Sequence, residues 1–352
     1  MSQAQPAEAA PAAKAPSPPW VAAQARQLLA QKGHAWLLHG PSGLGQYRLA
    51  LDLATAWLCE VATESGACGS CSSCHAVQVR THADLRVLMP EVALLDLGWP
   101  LGEKAQEEID EKKRKPSREI RVDAMRDAIE FSQRTSARGR GKVVLVYPAE
   151  QMNTISANAL LKTLEEPPGA VRFVLASESA HQLLHTIRSR CLGHAMHWPE
   201  PAAALHWLQQ QGIDAAAAPA LLQAAGGRPD DVLLMQNTGR SAADWVRFPA
   251  AMAAGDAAFV RDWPVTDLVD ALQKLCHDAL CVQQQAEPRY FALKTAPAKP
   301  VATMASITAL IALTDWFAAL QQSRKTMEHP FLPGLMQEAL VEQARKALNP
   351  TQ

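Results

Sequence analysis

Up to about residue 200, short apolar runs alternate with stretches of helical periodicity. "AWLLHG" (35–40), "LRVLMP" (85–90), "KVVLVY" (142–147), "RFVLAS" (172–177) and "LGHAMHW" (192–198) are short and apolar on both faces. Strands of that kind, separated by helices, predict a parallel five-stranded sheet covered on two sides. In "RLALDLATAWL", Leu49, Leu53 and Trp57 fall at i, i+4 and i+8 and form one apolar stripe. Beyond residue 200 the strand pattern stops. "PAAALHWLQQQG", "APALLQAAGG" and "RPDDVLLMQ" predict short helices, with a stop at Gly226-Gly227 and Pro229 in a first turn. From about 240 to 350 the pattern is helical throughout, and Leu268, Leu272, Leu275 and Ala279 form another stripe. The chain therefore divides into an α/β domain (20–200), a small helical domain (201–240) and a C-terminal helical domain (241–352). Residues 1–19, rich in Ala and Pro, predict a disordered tail. Segment 96–118, ending "EEIDEKKRKPSR", is polar and predicts a solvated loop.

Composition narrows the class of protein. A chain of 352 residues, 48% hydrophobic and 20% charged, has the make-up of a soluble protein of two or three domains. Its formal net charge of −1 argues against a primary DNA binder, which would need more cations to replace counterions. No run of 18 apolar residues occurs, and "SITALIALTDWFAAL" (306–320) carries Thr and Asp within a buried amphipathic pattern. The N-terminus lacks the apolar region of a signal peptide. The expectation is a cytoplasmic protein with no membrane partner, whose seven cysteines are not presumed to pair as disulfides.

The first candidate for chemistry is "HGPSGLGQYRLA" (39–50). A phosphate-binding loop follows a strand, wraps backbone N–H groups around a β-phosphate and opens a helix. Its Lys reaches the β/γ-phosphates, and its Ser or Thr binds magnesium. Here Gly40, Gly43 and Gly45 supply the scaffold, but Gln46 and Tyr47 stand where Lys and Ser or Thr belong. Gln46 carries no charge, and the Tyr47 hydroxyl sits on a ring too long and rigid to replace serine. An acidic pair would normally end a second strand and hold the magnesium shell. The matching strand, "GKVVLVYPAEQMN", ends in Tyr147-Pro148; Glu150 comes two or three residues late, and Asn153 starts the next helix. Both elements have lost their reactive side chains, which predicts a retained fold around an inactive site. An unrelated glycine turn is the plainer reading of the loop taken alone.

The second candidate is "CEVATESGACGSCSSCH", in which Cys59, Cys68, Cys71 and Cys74 are separated by eight, two and two residues. A CxxCxxC run lets thiolates converge on one tetrahedral zinc, and Cys59 can complete the set from the preceding helix. Four thiolates leave no open position, so this zinc would be structural. An iron–sulfur cluster also takes four cysteines, but nothing nearby suggests electron transfer. His75 is read as a neighbour of the site. Cys191, Cys276 and Cys281 remain, the last two expected to be buried as small hydrophobes.

"NALLKTLEEPP" (158–168) and "LLHTIRSRC" (183–191), together with the cysteine knuckle (59–74), resemble the clamp-loader branch of the AAA+ superfamily. The resemblance is specific over about residues 20–200 and beyond that rests on helical character and length. It implies a RecA-like AAA+ α/β domain with a parallel five-stranded sheet and a zinc knuckle, followed by an α-helical lid and an all-α C-terminal collar domain. The ruined phosphate loop resembles the noncatalytic, stationary member of that family, in which no ATP is expected in the chain's own site. Implied partners are ATPase subunits of gamma/tau type and a delta subunit in a hetero-pentameric ring of the bacterial replisome. Through that complex the chain would meet the sliding clamp and primed DNA as part of the DNA polymerase III holoenzyme. The resemblance also puts Arg190 of Ser189-Arg190-Cys191 in the role of an arginine finger acting in trans on a neighbour's ATP, with Arg188 as the control. The plainer reading has Arg190 satisfying carbonyls at a helix C-terminus. ATPase relatives often carry a sensing arginine near "GGRPDD"; Asp230 aligns there, and Arg228 falls two positions early.

Two other functions compete. One is an ATP-binding AAA+ ATPase with an atypical phosphate loop around Gln46 and Tyr47. The other is a nucleic-acid-binding zinc module, which the knuckle disfavours because residues 59–75 hold Glu60 and Glu64 but no Lys or Arg.

Overall fold

The computed structural model describes residues 17–237, 239–293, 307–326 and 332–349. The tail expected over residues 1–19 lies, up to residue 16, outside the described residues. Two compact units divide the chain, residues 1–199 and 200–352.

In the first unit the elements run α1 (Pro19–Leu29), β1 (Ala35–His39), α2 (Gln46–Leu58), α3 (Ser72–Gln78), β2 (Leu85–Leu88), α4 (Glu91–Asp96), α5 (Glu103–Asp110) and α6 (Val122–Gln133). They continue with β3 (Lys142–Val146), α7 (Thr154–Glu165), β4 (Val171–Ser177), α8 (His185–Arg188) and β5 (Leu192–Ala195). All five expected strands form one parallel sheet in the order β2-β3-β4-β1-β5. Alternation along the strands feeds two layers. Leu37, Val144, Val146, Phe173 and Leu175 pack with Met125, Phe131, Leu160, Leu164 and Ile187 of α6, α7 and α8. Leu38, Val143, Leu145 and Val174 are buried on the alternate positions, where α2 packs against β1, β3 and β4. The stripe expected on α2 is present: Leu49 and Leu53 are fully buried, and half-buried Trp57 lies beneath the guanidinium of Arg172 at 5.3 Å. Asn153 caps α7, its side chain accepting from the Ser156 N–H.

Because β1 lies between β4 and β5, the glycine loop that follows it emerges at the carboxyl edge of the sheet, where ligands of open α/β folds bind. The loop starts close to the sheet: a Cβ on Gly40 would stand 2.9 Å from the Cβ of Met196. It ends on Gly45, whose φ of +91° as the N-cap of α2 is left-handed and suits glycine.

Segment 96–118 is not a solvated loop. It contains helix α5, and Arg114 of the charged run is held by Glu91 and by Glu108, the latter at 2.7 Å. Glu91 also accepts from the Ser117 N–H at 2.8 Å. Local polarity suggested solvation, but the buried Glu91 gathers the cation and folds the segment back.

Immediately before β2, the fully buried Asp84 accepts from Ser136 Oγ (3.0 Å) and from the N–H groups of Ala137 (2.8 Å) and Arg138 (2.9 Å) in the loop ahead of β3, with Lys142 Nζ at 3.5 Å. Burial alone would raise its carboxyl, but these donors outweigh it and hold the group below its ordinary 3.8. A depressed carboxyl contributes stability above the unfolded value and loses it as pH falls. Asp84→Asn is therefore expected to lower stability at pH 7 by about 2–4 kcal/mol. The difference from the parent should narrow below about pH 4 in urea unfolding followed across pH; a constant difference would refute the assignment.

The second unit is helical: α9 (Pro201–Gln210), α10 (Ala218–Ala224), α11 (Pro229–Asn237), α12 (Ala242–Ala254), α13 (Val265–Gln283), α14 (Ile307–Thr326) and α15 (Pro333–Leu348). Leu268, Leu272, Leu275 and Ala279 of α13 are all buried, as their spacing predicted. Trp245 and Phe248 of α12 stack with Phe291 and Trp263. Asp278, fully buried, accepts from the N–H groups of Arg289, Tyr290 and Phe291 at 2.7–2.8 Å and so ties that segment to α13. Cys276 is buried and donates to the Leu313 carbonyl at 3.4 Å. Cys281 is only partly buried, against expectation. Five residues along a helix turn it well away from the face that buries Cys276. Among the described residues no helix is long and apolar enough to cross a membrane.

Candidate functional site

The glycine loop keeps its course, but this chain's own side chains occupy its mouth. Gln46 is almost fully buried, and its Nε2 donates to the carbonyls of Gly40 (2.8 Å) and Pro41 (2.6 Å). The amide thus ties the loop to itself, without the cation that a phosphate would require. Tyr47, one position on, stacks on Tyr147 with ring centroids 5.3 Å apart and planes inclined by 26°. Its hydroxyl accepts from Trp99 Nε1 at 2.6 Å, and burial raises its pKa. Arg80 lies over Trp99 at 5.9 Å. At the end of β3, the Tyr147 hydroxyl donates to Glu178 Oε1 at 2.7 Å, and Glu150 Oε1 accepts from the Glu178 N–H at 3.0 Å. The position read as lacking an acidic pair holds an aromatic ring. Trp99 belongs to segment 96–118 and was missed; its lone aromatic ring in a polar stretch was the available signal.

Cys59 at the end of α2 and Cys68, Cys71 and Cys74 around the start of α3 converge, their sulfurs all within 4.8 Å of one another. Cys59 Sγ lies 3.8 Å from Cys71 Sγ, and Cys68 Sγ lies 3.9 Å from Cys74 Sγ. Four thiolates about 2.3 Å from a tetrahedral ion stand about 3.8 Å apart, so the donor set fits a metal ion. Backbone N–H groups of Cys68, Cys71 and Cys74 point at the sulfurs of Cys59, Cys68 and Cys71 at 3.3–3.4 Å, as anionic sulfur favours. Donation from the Ser70 and Cys71 N–H groups brings the Cys68 thiol down to about 6, whereas burial raises those of Cys59 and Cys74. His75 lies outside the cluster of ligand atoms.

The knuckle does not stand apart from cations, as residues 59–75 alone suggested. Arg138, from the loop before β3, donates to Glu60 Oε1 (3.1 Å), Ser72 Oγ (2.6 Å) and Ser73 Oγ (3.1 Å), and Arg140 donates to the Glu60 carbonyl. Glu60 in turn accepts from Ser72 Oγ at 2.6 Å and from the Ser73 N–H at 3.2 Å. The glycine-flanked "SARGRG" run was the signal for these contacts.

Arg190 follows α8 on the surface. Its Nε and Nη2 donate to Glu165 Oε2 at 3.1 and 3.0 Å, and its Nη1 donates to the Thr186 carbonyl at 3.1 Å. The carbonyl contact expected of a helix C-terminus is present, together with an ion pair to the last residue of α7. Ser189 Oγ donates to the same Thr186 carbonyl at 3.2 Å, and Cys191 is partly buried, its thiol pushed up to about 12 by burial. Arg188 is exposed. In the second unit, Arg228 pairs with Asp231 at 2.7 Å.

A five-stranded parallel sheet with a phosphate-loop frame after β1 and an Ser-Arg-Cys turn before β5 defines an AAA+ type α/β domain. The family described as "DNA polymerase III, delta subunit" matches residues 23–197. The DNA polymerase III subunit delta' of Pseudomonas aeruginosa is 41% identical over 215 residues, which are 60% of this chain and 58% of that protein. That of Escherichia coli is 31% identical over 277 residues, 73% of this chain and 76% of that protein. The DNA polymerase III subunit tau of Escherichia coli is 35% identical over 159 residues, 45% of this chain and 21% of that protein. The chain belongs to the DNA polymerase III delta-prime family.

Proposed function

We propose that this chain is the non-hydrolysing, stationary subunit of a bacterial replicative clamp loader, and that it lends Arg190 to the ATP of a neighbouring subunit. The observation that carries the reading is the filled phosphate loop. Gln46 satisfies the loop's own carbonyls, and Tyr47, at the position where such loops carry the magnesium-binding hydroxyl, is engaged with Tyr147 and Trp99. An ATPase with an atypical loop would have to displace all four side chains and would still lack the loop's lysine. The chain's likeness to tau and delta-prime subunits supports gamma/tau-type ATPase subunits and a delta subunit as partners in a five-membered ring. Through that ring the chain would act on the sliding clamp and primed DNA in the cytoplasm. Residues 201–240 would form the lid and 241–352 the collar. Cys59, Cys68, Cys71 and Cys74 would hold a structural zinc, whose four thiolates exclude water from the metal and leave it no reaction to perform.

Nucleotide occupancy measured subunit by subunit, in the reconstituted complex and on the isolated chain, tests this. No magnesium-dependent ATP binding or turnover is expected on this chain. Tight binding abolished by Gln46→Ala would overturn the reading.

A further inference from the structure

We infer that Glu165 is the positioning residue for Arg190, holding the guanidinium in the conformation in which it meets a neighbour's phosphate; this rests on the trans role proposed above. Three of the five guanidinium N–H groups are engaged, the Nε–H and one Nη2–H by Glu165 Oε2 and one Nη1–H by the Thr186 carbonyl. One N–H remains on each terminal nitrogen. Each terminal nitrogen of the planar guanidinium thus keeps a donor for a phosphate oxygen.

The pair does little for the fold. The Glu165 side chain is 60% exposed and that of Arg190 31% exposed, and ion pairs at the surface contribute little to stability. Its consequence is conformational. A free arginine carries large rotamer entropy, which must be lost when it docks. Here the loss is already made, and the anchor is rigid. Glu165 ends α7, whose Leu160 and Leu164 are fully buried, and Pro167-Pro168 follow after one intervening residue. The Thr186 carbonyl alone would fix one nitrogen and leave the plane free to turn; the second contact, across Nε and Nη2, sets the plane.

The test uses the complex reconstituted with its ATPase subunits, in which only the site facing Arg190 can turn over. Glu165→Gln and Glu165→Ala are each placed in the parent and in the Arg190→Ala background. Expected is a fall in kcat of about two- to tenfold, the rate equivalent of one rotamer-rich side chain set free, with KM for ATP little changed. In the Arg190→Ala background neither substitution should have any further effect. Equal losses in both backgrounds, a rise in rate, or failure of the Glu165→Gln chain to assemble would overturn the assignment while leaving the trans role standing. Undiminished turnover with Arg190→Ala alone would remove the trans role and this inference together. On the isolated chain, Glu165→Gln should speed exchange of the Arg190 Nε–H with water, read by NMR; an unchanged exchange rate would also overturn it.

Discussion

Arg190→Ala is expected to lower ATP turnover at the neighbouring site by about 10³-fold or more while leaving the complex assembled. A guanidinium presented to γ-phosphate oxygens stabilises charge as it develops, and trans arginine fingers are worth roughly 10³–10⁵ in rate. Substitution should act on kcat more than on ATP binding, because the contact strengthens in the transition state. Arg190→Lys should not restore the rate, since an ammonium cannot reproduce two donors in a fixed plane. Arg188→Ala is the control: it removes an exposed arginine two residues away and should leave turnover within about twofold, the range of a surface change. The measurement is steady-state hydrolysis in a complex whose remaining sites are inactivated. Normal turnover from the Arg190→Ala complex would end the finger assignment, whatever its effect on assembly.

Removal of the metal should have the largest effect on the folded state. One zinc per chain is expected from metal analysis, and Cys74→Ser, which alters a buried cysteine of the cluster, should reduce it to a small fraction of that. Structural zinc contributes about 10–16 kcal/mol of apparent binding energy in small peptides. In this chain part of that is offset by the surrounding domain, and a fall of about 5 °C or more in unfolding midpoint is expected. The damage should spread along a definite path. Glu60 adjoins Cys59 and is bound by Ser72, Ser73 and Arg138, so loss of the knuckle should release the loop before β3. Hydrogen exchange would show this as faster exchange over residues 134–141. Acid should mimic chelation, because each thiolate that takes a proton is lost as a ligand and affinity falls with pH. A Cys74→Ser chain that keeps a full zinc and an unchanged midpoint would rule out the site.

Much of the fold could be read locally. The strand runs, the stripe through Leu49 and Leu53, the stop at Gly226-Gly227 and the cap at Asn153 each depend on contacts within a few residues, or on one face meeting any apolar layer. The convergence of Cys68, Cys71 and Cys74 is of the same kind, because cysteines within seven residues around a turn can reach one point. The spacing of Gly40, Gly43 and Gly45 specified the loop's course, since only glycine readily takes a φ such as the +91° at Gly45. Segment 96–118 misled for the reverse reason. Its polarity was real, but the partner that removes Arg114 from water is Glu91, which lies before the segment.

By itself the sequence determined which reactive groups are missing: no cation at Gln46, no short hydroxyl at Tyr47 and no carboxylate at Tyr147-Pro148. Those are facts of composition at known spacing. Tertiary structure decided what stands in their place. Tyr47 meets Tyr147 and Trp99, Glu60 meets Arg138, and Arg190 meets Glu165, across separations of 100, 52, 78 and 25 residues in the chain. Contacts at that range are set by strand order and by the angles between helices, which no local pattern of side chains encodes.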